Sequence, residues 1–287
     1  MTNLPLMKDK VVLITGGTAG IGEVTARSLA GMGATTVIVG RNPEKTAAVA
    51  QQIRSATGNE RVNYLIADLS SQEQVRKLVE DFQHGYDRLD VLVNNAGAIF
   101  MKRELSVDGI EMTYALNHLS YFLLTHLLLD MLQASQPARV INVSSEGHRG
   151  ARLNFADLEN ERSYTSWKVY GQSKLANLYF TYGLAATLDE SGVTANALHP
   201  GFVATNFGKS NGGIFRSIFG LIQFAAITPE EGAQTSIYLA SSPEVEGVTG
   251  KYFVKSQVVP SSAVSYDMSA ARKLWDCSLE MVKLPVQ

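Results

Sequence analysis

The stretch Val11 to Thr15 (VVLIT) runs directly into Gly16-Gly17-Thr18-Ala19-Gly20-Ile21-Gly22, and the architecture of the chain is read from that junction. Apolar and β-branched residues in unbroken succession describe a strand covered on both faces, as in a parallel sheet flanked by helices. Glycines follow where the backbone must turn sharply and where it can approach a ligand with no Cβ in the way. The loop opens a helix, whose N-terminus offers amide N–H groups and the positive end of its dipole to a phosphate. No Lys-Ser/Thr pair follows, which excludes a P-loop. The spacing is Gly-x3-Gly-x-Gly rather than the commoner Gly-x-Gly-x2-Gly, and tight turns also use glycine for geometry alone. After the first strand of an α/β chain, the motif predicts a dinucleotide site.

Working outward, Thr35 to Val39, Val62 to Ile66, Val91 to Asn94, Val140 to Val143 and Val193 to Leu198 are similar runs. Stretches of helical length, such as Pro43–Thr57, Gln72–Gln83 and Gly109–Ser135, separate them. Asn42-Pro43-Glu44 and Ser70-Ser71-Gln72-Glu73 read as capped helix starts. Neither an internal repeat nor a Pro/Ser-rich linker interrupts the alternation. The expectation is one α/β domain over residues 1–287, a doubly wound parallel sheet of about seven strands with helices on both faces, the Rossmann arrangement. An insertion over about residues 206–228 breaks the pattern, with Gly208, Gly212, Gly213 and Gly220 among Phe207, Phe215, Phe219 and Phe224. It reads equally as a mobile pocket wall or as a surface helix packing its phenylalanines on the core.

Composition excludes several classes. With 45% hydrophobic and 18% charged residues over 287 positions, the chain is not disordered. A net charge of −2 removes the electrostatic case for nucleic acid or anionic lipid. The single cysteine, Cys277, rules out an internal disulfide and fits a reducing compartment. The N-terminus lacks the apolar core and cleavage site of a signal peptide. The most lipid-like stretch, Leu119 to Leu132, carries His126 and Asp130 and is shorter than a membrane span. A cytoplasmic protein is expected. Five histidines show no metal-ligand spacing, so no metal is expected.

The second run ends Val39-Gly40-Arg41-Asn42, without the acidic residue that would bond a ribose 2′-hydroxyl and repel a 2′-phosphate. Arg41 can fork onto a 2′-phosphate, and Lys45 adds charge one turn on, so NADP(H) is expected over NAD(H). Tyr170 and Lys174 stand at i and i+4 at the start of a helical stretch running to about Leu188, on one face. An ammonium about 4 Å from a phenolate, at an effective dielectric of about 20, stabilises it by roughly 4 kcal/mol. That is about three pKa units before any burial penalty, enough to make the phenol an acid/base near neutral pH. Tyr164 and Lys168 share the same spacing, but Tyr164 lies among Ser163, Thr165 and Ser166, residues of a helix start. Tyr170 precedes a clear apolar stripe and is preferred.

Thr15 to Gly22, Asn94-Asn95-Ala96-Gly97, Asn142-Val143-Ser144-Ser145, Tyr170-x3-Lys174 and His199-Pro200-Gly201-Phe202-Val203-Ala204-Thr205 occur in this order. Together they resemble the short-chain dehydrogenase/reductase family over Lys10 to about Phe253. Asn142 to His148, Tyr170 to Asn177, Glu231 to Ser236 and Gly250 to Phe253 resemble its retinol-dehydrogenase-like branch, which interconverts lipophilic carbonyls and alcohols, usually with NADP(H). The resemblance implies Tyr170 as acid/base, Lys174 as ligand of the nicotinamide ribose and tuner of the phenol, and Ser145 as donor to the substrate oxygen. The resemblance implies Ser145 rather than Ser144, because the family places this serine last in its Asn-x-Ser/Thr-Ser run; strand alternation adds only that one of the two hydroxyls points into the site. Asn117 would continue a proton relay, its alternative being a structural hydrogen bond.

Gly16, Thr18, Ala19, Gly20, Ile21 and Gly22 would cradle the pyrophosphate, with Arg41 and Asn42 at the 2′-phosphate. Asp68 and Leu69 would meet the adenine, Asp68 alternatively being a cap. Asn95, Ala96 and Gly97 would line the adenine ribose, and Pro200, Gly201, Val203 and Thr205 would face the nicotinamide and phosphates. Only ten residues precede Val11, so no membrane anchor is expected. A small apolar carbonyl or alcohol is the expected partner. By analogy, Gly109–Ser135 and Tyr170–Leu188 would pair subunits in a homodimer or homotetramer. His148 follows Ser145 by three and is a candidate border of the substrate, but reads more simply as a packed or solvated loop residue; Phe155 and Trp167 are candidate pocket walls. The rival class is a non-catalytic NADPH-binding regulator, which would have no need of Ser145, Tyr170 and Lys174 together.

Overall fold

The computed structural model describes residues 6–188, 190–201 and 227–285. Its centre is one sheet in the order β3-β2-β1-β4-β5-β6-β7-β8. The strands are β1 (Val11–Thr15), β2 (Thr35–Gly40), β3 (Val62–Ile66), β4 (Val91–Asn94), β5 (Ala138–Val143), β6 (Val193–His199), β7 (Tyr252–Val254) and β8 (Gln257–Val258). β1 through β7 are parallel, and the two-residue β8 turns back antiparallel on β7. The six apolar runs are thus strands, and a short antiparallel edge makes eight where about seven parallel ones are expected. So short a strand carries no periodicity to read.

Alternation along β1 divides the core. Leu13 joins one apolar cluster, with α3 (Gln72–Gly85), α5 (Ser120–Leu127), α7 (Ser166–Thr187) and α9 (Met268–Met281). Val12 and Ile14 join the other, with α1 (Gly20–Gly31), α2 (Pro43–Thr57) and α8 (Pro229–Ser241). All three side chains are fully buried, each contributing about 1.5–3 kcal/mol by burial. Asn42 caps α2, accepting from the Lys45 amide at 2.8 Å, and Ser71 caps α3. Thr228 and Glu231 form a capping box on α8.

Two helices depart from expectation. Gly109 adopts φ +78° in a tight turn with Ser106, so no helix begins there. The run starts instead at α4 (Met112–Tyr114), where the buried Glu111 carboxylate accepts from the Thr113 and Tyr114 amides at 2.9 and 2.7 Å. It widens into a π-turn over Ala115–Leu119, continues as α5, and breaks at Leu128 before α6 (Leu129–Ala134). α7 begins at Ser166 rather than Tyr170, one turn earlier, which seats Tyr170 within the helix.

α9 lies across the helices on which self-association is expected. Trp275 meets Phe122 at 5.2 Å, His126 at 4.8 Å and Phe180 at 5.9 Å between ring centres. That part of the α5/α7 surface is therefore core in this chain. Cys277 is partly buried on the same helix. No helix among the described residues is long and apolar enough to cross a membrane. Within the insertion, only Ile227 and Thr228 fall among the described residues; Val203 and Thr205 lie outside them.

Candidate active site

Strand order reverses beside β1, which pairs with β2 on one side and β4 on the other. At such a switch point the loops at the carboxyl ends of the strands part and leave a crevice. The glycine loop lines it from β1 and Asn95 to Gly97 from β4. Gly16 has φ +65°, and a Cβ there would stand 2.9 Å from the Ala96 Cα. A Cβ on Gly22 would overlap the Gly16 carbonyl, and one on Gly17 would stand 2.7 Å from the Ile38 Cβ. Gly16 thus provides the turn, while Gly17 and Gly22 allow close packing. α1 starts at Gly20 behind Ala19, without a side-chain cap, in contrast to α2, α3 and α8. The first amides of α1 therefore suit an anion.

Several expected ligands of the dinucleotide brace the surrounding backbone. Asn95 donates its side-chain amide to the Thr15 carbonyl at 2.8 Å, and the Asn95 and Ala96 amides donate to the Thr15 hydroxyl at 2.8 and 3.0 Å. Asn42 spends its side-chain oxygen on the α2 cap. Asp68 accepts from the Ser70 amide and hydroxyl at 3.0 and 2.7 Å, a local cap. Its second oxygen lies 3.7 Å from the Arg41 guanidinium, whose side chain is 80% exposed at the end of β2. Leu69 is buried beside it. Pro200 and Gly201 follow β6; Gly201 has φ +94°, and a Cβ there would overlap the Ile227 side chain.

Beyond β5, Ser144 and Ser145 part company as alternation predicts. Ser144 is buried and donates to the Lys174 carbonyl at 2.8 Å. Ser145 is half-buried, its hydroxyl accepts from the Gly147 amide at 3.1 Å, and it stands near enough to Tyr170 to favour the phenolate. Two glycines bring these parts together: the Tyr170 ring would lie 3.3 Å from a Cβ on Gly147, and the Gly147 carbonyl 2.6 Å from one on Gly171. His148 braces the turn. Its Nε2 accepts from the Ser262 amide at 3.0 Å, which leaves the proton on Nδ1 to be donated to the Ser145 carbonyl at 2.6 Å. Burial pushes its pKa down, consistent with that neutral form. Gly147 and Gly171 escape sequence reasoning as site residues because their neighbours in space are remote in the chain, whereas His148 is the packed loop residue that the sequence favours.

Lys174 is 3% exposed, and its ammonium donates to the Val143 carbonyl at 3.0 Å. Burial alone pushes its pKa down to about 7. Burial likewise pushes the Tyr170 phenol up, with the nearby Ser145 hydroxyl opposing. Here the structure corrects the Coulomb expectation. The ammonium is 5.7 Å from the centre of the Tyr170 ring, and desolvation of both groups outweighs their attraction. Asn117, on the π-turn, is bonded both ways to the Ala98 peptide at 2.9 Å and donates to the Ser173 hydroxyl at 3.1 Å. Its side chain makes structural hydrogen bonds of the kind the alternative describes. Tyr164 lies before α7 and donates its hydroxyl to the Phe100 carbonyl at 2.7 Å, away from the Ser145–Tyr170 pair.

Residues 10–212 match the model of the short chain dehydrogenase family. The chain belongs to the short-chain dehydrogenase family. It falls in the retinol-dehydrogenase-like branch, being 43% identical to human retinol dehydrogenase 14 over 97% of this chain and 88% of that one. Among solved structures it resembles an uncharacterized protein from Mycobacterium paratuberculosis, with TM-score 0.80 and 32% identity over 99% and 98% of the two chains. It also resembles the Pseudomonas aeruginosa RhlG/NADP active-site complex, with TM-score 0.70 and 29% identity over 88% and 97%. The short-chain dehydrogenase family is one of oxidoreductases. Among the described residues no His, Cys, Asp and Glu are grouped to hold a metal.

Proposed function

We propose that this chain is an NADP(H)-dependent oxidoreductase interconverting an apolar aldehyde or ketone with its alcohol. The observation that carries the reading is the Tyr170 side chain set beside Ser145, whose hydroxyl favours the phenolate, and beside the buried ammonium of Lys174. Ser145 holds the substrate oxygen, and Tyr170 gives it a proton in reduction or takes one in oxidation. Lys174, when charged, favours the phenolate and binds the ribose. Gly16, Thr18, Ala19, Gly20, Ile21 and Gly22 hold the pyrophosphate, and the cradle fits because side chains at Gly16 and Gly22 would collide with their neighbours. The bound dinucleotide supplies the hydride; the protein supplies positioning and the proton.

Arg41 supports NADP(H): its guanidinium is exposed at the end of β2, a strand that ends without an acidic residue of its own, although the Asp68 carboxylate lies 3.7 Å away. The NADP complex of a structural relative points the same way. The apolar substrate class is supported by retinol in the name of a relative. Trp167 adds to this, its ring 52% exposed and meeting that of Tyr170 edge-on at 6.3 Å. The test is a panel of carbonyls and alcohols with NADPH and NADH, wild type beside Tyr170→Phe. Turnover of long-chain or cyclic carbonyls with NADPH, lost in the variant, is expected. Equal turnover by both proteins removes Tyr170 from the mechanism, and a preference for small polyols removes the substrate class.

A further inference from the structure

A charge buried as deeply as that of Lys174 ordinarily has a counter-ion. Among the described residues it has none: no carboxylate lies within ion-pair distance, and its one hydrogen-bond partner is the Val143 carbonyl. The surrounding elements offer little else. On the π-turn, Asn117 is committed to Ala98 and Ser173, and His118 turns to Asn177 and Ser278. His148 is committed to Ser145 and Ser262. Near Lys174, the loop after β4 presents an uncharged residue, Gly97. What does face the ammonium is aromatic. The Tyr121 ring, on α5, has its centre 5.7 Å from Nζ, the same distance as the Tyr170 ring on α7. Tyr121 is 1% exposed, and its hydroxyl has no hydrogen-bond partner among the described residues. The position therefore makes use of the ring and not of the hydroxyl.

We propose that Tyr121 is a positioning residue for Lys174, its ring and that of Tyr170 flanking the ammonium and holding it in place of a counter-ion. The role matters for catalysis only through the function proposed above, but the contact itself can be tested without turnover. A ring face attracts the ammonium and not the amine. Loss of the ring should thus cost more stability where Lys174 is charged than where it is neutral.

The experiment is urea unfolding of the full chain at pH 6 and pH 9, for wild type, Tyr121→Phe, Tyr121→Leu, and each Tyr121 variant combined with Lys174→Met. Relative to Tyr121→Phe, Tyr121→Leu should lower the folding equilibrium constant about three- to tenfold more at pH 6 than at pH 9. With Met at position 174 that difference should vanish. A cost equal at the two pH values, or one that persists beside Met, overturns the proposal and leaves Tyr121 as packing. If Tyr121→Leu does not fold, Tyr121→Met fills the volume without a ring and takes its place. In carbonyl reduction, the alkaline fall of kcat/KM should move about half to one pH unit lower in Tyr121→Leu and return in Tyr121→Phe. Inactivity of the wild type would count against the enzymatic reading and leave the unfolding result standing.

Discussion

Two buried charges occupy opposite edges of the sheet and are treated in opposite ways. At the amino edge, Asp90 is 1% exposed and accepts from Arg88 at 2.6 and 2.8 Å, from Lys10 at 2.9 Å and from the Val11 amide at 2.9 Å. Burial opposes its ionisation, but these donors together hold the carboxyl below the usual range. At the carboxyl edge, Lys174 is buried almost as deeply, with a lone carbonyl and two rings for company. One charge is compensated on every side and serves stability. The other is left uncompensated and titrates near neutrality, at a cost in stability that a purely structural residue would not carry.

The comparison can be broken from either end. The largest effect is expected at the carboxyl edge, where Tyr170→Phe should lower kcat by about a thousandfold with the fold intact by circular dichroism. Lys174→Met should cost about a hundredfold or more in kcat/KM while stabilising the fold by about 1–3 kcal/mol at pH 6, as measured by urea unfolding. The sign follows from the depressed pKa. Between about 7 and the ordinary 10.5 of a lysine the unfolded chain holds a proton that the folded one does not, so wild-type stability rises with pH across that window. The gain from Lys174→Met is thus full below pH 7 and fades above it.

At the amino edge the same kind of change should do the reverse. Asp90→Asn should lower stability by about 3 kcal/mol at pH 7 and leave kcat/KM unchanged. Its pKa is depressed, so the contribution is present above the ordinary carboxyl range and is lost as pH falls through the folded value. The loss caused by Asp90→Asn should accordingly shrink in acid. Arg41→Ala should reduce the ratio of NADPH to NADH affinity about ten- to a hundredfold, as measured by fluorescence titration. An unchanged ratio would remove Arg41 from cofactor choice. The smallest effect belongs to Tyr164→Phe, with kcat/KM within about twofold, since that phenol is tied to the Phe100 carbonyl.

The legibility of the two edges differs for a physical reason. β1, the glycine loop and the Pro43–Thr57 helix could be read because local rules govern them: apolar runs, a sharp turn, and a capping residue before proline. The choice between Tyr164 and Tyr170 also followed from local pattern, since only Tyr170 precedes an apolar stripe. The sequence singles out Asn95, Asn42 and Asp68 as ligands of the dinucleotide, and in the fold their side chains brace the local backbone. A motif records that a polar group is needed, not which partner it takes. The depression of the Lys174 pKa was out of reach because burial comes from β5, α5 and α7 closing around it.

Residue order alone specifies the alternation of strands and helices, the turn that begins the crevice, and the helix face shared by Tyr170 and Lys174, because each depends on neighbours a few positions away. The covering of α5 and α7 by α9, the bracing of Ser145 by His148 and Ser262, and the placing of Tyr121 against Lys174 were decided only on folding. Those contacts join residues as far as 160 positions apart, as His118 meets Ser278. Desolvation and aromatic attraction act across space, and no spacing along the chain encodes them.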